Sequence, residues 1–290
     1  MTRAAATLPD GRPLSGIEVE RRAYRRSRST RSTLIAAAST VVVAAVITAV
    51  LLASPGWAVA QRTFLDPAEA VRVLPALLAG LWVNVYVLFF AAIGVAIGAT
   101  VLAIIRTTRA PVLAPLRFLA TVYVDVFRGV PVIVMLYLIG FGIPALGLFG
   151  LVDPRLLGGI ALVVCYSAYV AEVLRAGIES VHPSQRLAAR SLGLTYGQTL
   201  RLIVLPQGVR RVAPALMNDF VSMQKDVGLI SVLGVVDAIR QAGIEVPTAY
   251  NYTSYVVAGL LFVLLSLPFI RVTDHLERRA RARELQGSVV

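Results

Sequence analysis

The side chains able to do chemistry fall into three groups. Glu172, Arg175 and Glu179 are spaced i, i+3 and i+4 to one another, so on a helix they share a face and Arg175 can pair with either acid. As structure this is an ion pair at the end of an apolar run; as function it is a gate or part of a polar path. Asp125 and Arg128 stand at i, i+3 and are expected to pair in the same way. The third group is Asn218, Asp219, Ser222, Lys225 and Asp226, with Asn218, Ser222 and Lys225/Asp226 at helical spacing. A polar stripe inside an apolar bundle suits a water-lined pathway, or hydrogen bonds between helices. Asn218→Leu and Ser222→Ala separate the two, because a pathway would be damaged by both. No group makes a metal site: Cys165 is the one cysteine, and His182 and His275 are far apart. Nor is there a phosphate-binding G-x-x-x-x-G-K-[ST] loop, since the single lysine, Lys225, follows Gln224.

The elements that must position these groups are membrane spans. Hydrophobic residues make up 57% of the chain, charged ones 15%, and mean hydropathy is +0.76. A water-soluble domain of 290 residues needs more polar surface than that. Apolar runs long enough to cross a bilayer occupy 34–53, 77–105, 118–149, 156–178, 212–235 and 253–272. Gly140, Gly142 and Pro144 are expected to end the third helix early. The net charge of +12 belongs to topology and not to nucleic acid, because the arginines alternate between runs. They crowd before the first run (Arg21, Arg22, Arg25, Arg26, Arg28, Arg31), after the second (Arg106, Arg109, Arg117), after the fourth (Arg175 to Arg211) and in the tail (Arg271 to Arg283). The opposite loops hold few: Arg62, Arg72, Arg155 and Arg240. Both termini and the 175–211 segment therefore belong in the cytoplasm.

The expected organisation is a disordered basic leader (1–32), a signal-anchor helix (33–56), an extracytoplasmic interfacial segment (57–76), a five-span domain (77–275) and a basic tail (276–290). Ala58-Val59-Ala60 leaves open a cleaved leader ending at Ala60. Asp66, Pro67 and Glu69 read as a helix start. The fold class is all-α integral membrane, with about six transmembrane helices.

One cytoplasmic loop is built as a helix-turn-helix. In 182–206, Gly193 suits the left-handed end of a first helix, Thr195 and Gln198 make a capping box for a second, and Pro206 marks a break before the next span. A rigid short helix transmits force from a moving partner, and the small Ala188 and Ala189 allow close approach.

This segment resembles the EAA loop of bacterial ABC importer permeases, whose pattern is E-A-A, three residues, G, nine residues, I, one residue, L-P. Ala188, Ala189, Gly193, Ile203, Leu205 and Pro206 fall at that spacing, while Leu187 stands where the family has Glu. Residues 125–131 resemble the E-x-F-R-G-T-P signature of the polar amino acid branch. Residues 169–178 resemble its Y-x-A-E-x-x-R-G-G-I, and 218–229 its N-x-x-I-x-x-x-K-D-T-S-L, with Val227 and Gly228 replacing Thr and Ser. The likeness spans about 75–275. It implies a multi-pass permease in the bacterial cytoplasmic membrane that translocates a polar amino acid by alternating access. It implies as partners ATPase subunits carrying ATP and magnesium, an extracytoplasmic binding protein and a second permease chain, with no cofactor on this chain itself. Leu187 to Arg190, Gly193, Ile203, Leu205 and Pro206 would couple to the ATPase. Asn218, Ser222, Lys225, Asp226 and Glu172 would border the substrate path. A secondary transporter, which would show repeated halves, and a membrane enzyme using the Glu172 face are the competing readings.

Overall fold

The computed structural model describes residues 15–108, 110–148 and 150–287, and these form helices and connecting turns without a strand. In chain order the α-helices are α1 (Gly16–Ala53), α2 (Trp57–Phe64), α3 (Pro67–Thr107), α4 (Ala114–Gly129), α5 (Val132–Tyr137), α6 (Ile143–Ala145), α7 (Pro154–Glu179), α8 (Pro183–Ser191), α9 (Tyr196–Thr199), α10 (Leu205–Asp226), α11 (Ala238–Ala249) and α12 (Thr253–Gly287). Four apolar stretches are long enough to cross a membrane, and up to six if each of two bent pairs counts as one span. The chain divides into two compact units near residue 61.

The first unit holds α1 and the start of α2. The start of α1 corrects the expectation of a disordered leader through residue 32: the helix begins at Gly16, where the Ser15 hydroxyl accepts from the Glu18 amide. Arginine and alanine are good helix formers, so a capped start suffices to carry the helix outward from the apolar stretch Arg31–Ala53. Residues 1–14 lie outside the described residues.

The second unit is the bundle. Asp66 caps α3 by accepting from the Ala68 and Glu69 amides, with Pro67 in the first turn. The segment expected to lie at the interface up to residue 76 is, from Pro67 on, the first part of this single 41-residue helix. Asp153 caps α7, and Arg155 beside it holds the Asp153 carboxyl below the usual range. The core joins α3, α5, α7, α10 and the 3-10 turn Val227–Leu233 through Leu88, Val95, Leu136, Leu162, Ile230 and their neighbours. Where α7 crosses α10, Gly177 and Gly208 meet backbone to backbone: a methyl on Gly208 would lie 2.9 Å from the Gly177 carbonyl.

Two further expectations are corrected. The third span does not run unbroken over 118–149: it bends by 107° between α4 and α5 at Val130–Pro131, and it ends early, as expected, at Ala145 beside Pro144. Pro131 cannot donate to the helix behind it, whereas Gly140 and Gly142 sit within a π turn, Leu138–Gly142, that leads on into α6. Pro206 does not break the chain before the next span. A π turn, Leu200–Val204, joins α9 to α10 and leaves Pro206 in the first turn of α10, where no amide is needed. That span instead bends by 50° after Leu233, before α11.

Candidate functional site

The loop between α7 and α10 is anchored at several points. His182 caps α8 by accepting from the Ser184 amide, Gly193 follows with φ +82°, and Thr195 and Gln198 form a reciprocal capping box. Arg186 donates to the Ile178 carbonyl and Arg211 to the Ser180 carbonyl, both at the end of α7. Gln207 of α10 donates to Gln185 of α8 at 2.6 Å, and the Tyr196 hydroxyl to the Thr107 carbonyl at 3.3 Å. Only Ala189 of α8 is buried. Leu187, Ala188 and Arg190 are exposed, as are Gly193 and Pro206, while Ile203 and Leu205 are half-buried. Ala189 therefore seats the helix on the bundle, and Leu187 and Ala188 face away from it.

The ionic residues converge on Glu172. Its Oε1 accepts from Arg175 at 2.5 Å and its Oε2 from Arg106 of α3 at 2.6 Å; Arg175 also binds Glu179 at 2.7 Å. The expected Asp125–Arg128 pair does not form. The Arg128 guanidinium turns to Glu172, 3.8 Å away, and Asp125 is left exposed. An exposed i, i+3 pair such as Asp125–Arg128 is worth too little in water to hold the guanidinium in one geometry. Arg106 was not legible as a member of this cluster, because it lies 66 positions from Glu172 in the chain.

On α10 the polar residues divide between two faces. Asn218, Ser222 and Lys225 are exposed on one, and Lys225 has no ion pair among the described residues. Asp226, at i+4 from Ser222, is turned toward α7 and accepts from the Tyr166 hydroxyl at 2.7 Å. On that side α3, α7 and α10 line an open pocket of about 320 Å³, with Ala96, Thr100, Tyr166, Val170, Asp219 and Phe220 among its walls. One Asp219 oxygen is buried there without a hydrogen-bond partner. A second polar cluster unforeseen from sequence ties α3 to the bend. Asn84 donates to Asp237 at 2.8 Å and accepts from the Ala238 amide at 3.2 Å, both side chains fully buried. Gly80 makes room for it, since a methyl there would meet the Asp237–Ala238 backbone at 2.6 Å.

Residues 111–282, from just before α4 into α12 and including the anchored loop, match the protein family described as "Binding-protein-dependent transport system inner membrane component". The chain belongs to this family. Curated relatives of this inner membrane component agree. The glutamate/aspartate import permease protein GltK of Escherichia coli is 33% identical over 221 residues, 74% of this chain and 97% of GltK. A probable amino-acid ABC transporter permease protein, y4tG of Sinorhizobium fredii, is 33% identical over 71% of this chain and 89% of its own. The arginine transport system permease protein ArtQ of Bacillus subtilis is 29% identical over 76% of this chain and 99% of ArtQ. Among solved structures, a chain described under "Crystal structure of an amino acid ABC transporter with histidines" superposes with a TM-score of 0.66 at 32% identity, covering 74% of this chain and 99% of the other. A chain of the MetNI methionine ABC transporter, at 21% identity and a TM-score of 0.54, shares the fold. The protein is thus a permease subunit of an ABC importer and not the subunit that hydrolyses ATP, and the family is one of the bacterial inner membrane.

Proposed function

We propose that this permease carries a polar amino acid into the cytoplasm, that α8 is the element through which a separate ATPase drives it, and that a binding protein delivers substrate to the opposite face. The observation that carries the reading is the anchorage of α8. A helix pinned to the end of α7 through Arg186 and Arg211, and to α10 through Gln207, passes a push directly into two core helices. Ala188, Ala189, Arg190, Gly193, Ile203, Leu205 and Pro206 form this lever. The arginine distribution supports cytoplasmic termini and a cytoplasmic loop. α1 is an uncleaved anchor outside the family match. A second permease chain completes the pore, and the exposed polar face of Asn218, Ser222 and Lys225 is turned toward the water-filled path and not toward lipid, where an unpaired ammonium is costly.

The names of the relatives support an amino acid as cargo.

Co-purification from native membranes in mild detergent tests the reading. An ATPase activity that accompanies the chain and disappears with Ala189→Glu or Gly193→Pro supports it. A chain that purifies alone and still transports without ATP removes it.

A further inference from the structure

The outward face of α8 has a composition that specifies its partner. Ser184, Leu187, Ala188, Ser191 and Leu192 recur at i, i+3, i+4, i+7 and i+8 and are all exposed. Leu187 is 67% exposed and Leu192 83%. These are large apolar side chains standing in water on the outward face, and Arg190 flanks Leu187 one turn on. From Ser180 to Asn218 there is no aspartate or glutamate, while Arg186, Arg190, Arg201, Arg210 and Arg211 all fall in that stretch. Arg186 and Arg211 are tied inward to carbonyls of α7. Arg190 and Arg201 remain exposed and outside any ion pair among the described residues.

We infer that Leu187 is a specificity-determining residue, and that the face fits an ATPase subunit whose groove has an apolar socket for Leu187 and Leu192 and an acidic rim for Arg190 and Arg201. This rests on the coupling reading of α8 above and goes beyond it by naming the chemistry of the partner's groove. An arginine-only surface draws an acidic one, and like charge opposite it is excluded. A lipid surface fits less well. The helix has nine residues, its outward stripe carries two serines, and its anchors hold it against the bundle where it has no freedom to lie down in an interface.

The test uses the whole transporter, tagged on this permease and purified with its ATPase from native membranes. Retention of the ATPase per permease is measured at about 0.1 M and about 1 M NaCl, where the screening length falls from about 10 Å to about 3 Å. Retention is expected to drop with salt. Leu187→Glu, set against an acidic rim, is expected to lower retention about tenfold or more. Leu187→Met keeps it within about twofold, because volume and polarity are conserved. Retention that is indifferent to salt and to Leu187→Glu overturns the inference. So does unchanged retention with an ATPase rate that Leu187→Glu makes dependent on the share of anionic phosphatidylglycerol in reconstituted vesicles, which would mark a lipid face. Ala189→Glu and Gly193→Pro serve as separate controls. If they release the ATPase while Leu187→Glu does not, only the partner chemistry is wrong; if they too are silent, the coupling reading itself falls.

Discussion

Glu172 shows how much a single carboxylate can hold. It pairs with Arg106, whose side chain is only 9% exposed, and with Arg175, and so links α3 to α7 near one end of the bundle. Removing one partner of such a pair leaves a charge without compensation, which is costlier than never having had the pair. Glu172→Ala is expected to destabilise the bundle by about 3 kcal/mol, seen as a lower midpoint in a thermal-shift measurement in detergent. Asp125 makes the contrast. It is exposed and unpaired with Arg128, so Asp125→Asn should stay within about 0.5 kcal/mol of the parent in the same assay. A large loss with Asp125→Asn would mean that a partner of Asp125 is missing from this account. Intra-helix spacing showed that Glu172, Arg175 and Glu179 would pair, because i, i+3 and i+4 contacts depend on the helix alone. It misassigned Arg128 and missed Arg106, because those contacts depend on how three helices come together.

At the scale of elements, the caps were legible and the bends were not. Asp66, Gly193 and the Thr195–Gln198 box read from the sequence as they stand in the structure, since each acts within four residues. The 107° bend falls at Pro131, which cannot donate to the helix behind it, whereas Pro206 sits in the first turn of α10 and is tolerated; apolar periodicity does not tell the two prolines apart. Two glycines give sharp expectations. Gly208→Val puts a branched side chain into the Gly177 backbone at the α7–α10 crossing, so the variant should fail to yield a monodisperse protein in size-exclusion chromatography. Gly129→Ala meets nothing within 4 Å and should elute as the parent does. Gly193→Ala strains a left-handed position by about 1 kcal/mol and should weaken the ATPase response without unfolding the bundle.

At the scale of the whole molecule, the all-helical class and the family signatures were legible, because hydropathy and motif spacing are properties of the chain. The contacts made across helices were not: Asn84 and Asp237 are 153 positions apart, and Asp219, read as one of a polar group, opens onto a pocket that three helices make together. The topology proposed from the arginines has its own check. In a Cys165→Ser background, Leu151→Cys in the loop before α7 should react with an impermeant maleimide in intact spheroplasts. Ser184→Cys on α8 should react only after the membrane is opened. The reverse pattern would invert the orientation and remove α8 from the ATPase.

The central claim is that a separate ATPase drives an amino acid through this chain by way of α8, and uptake into proteoliposomes tests it most directly. The purified complex is reconstituted with ATP and magnesium enclosed, and its binding protein and labelled amino acids are supplied outside. The account predicts accumulation that stops when ATP is left out and when Ala189→Glu is introduced. Undiminished accumulation without ATP, driven by an ion gradient and indifferent to Ala189→Glu, would contradict it.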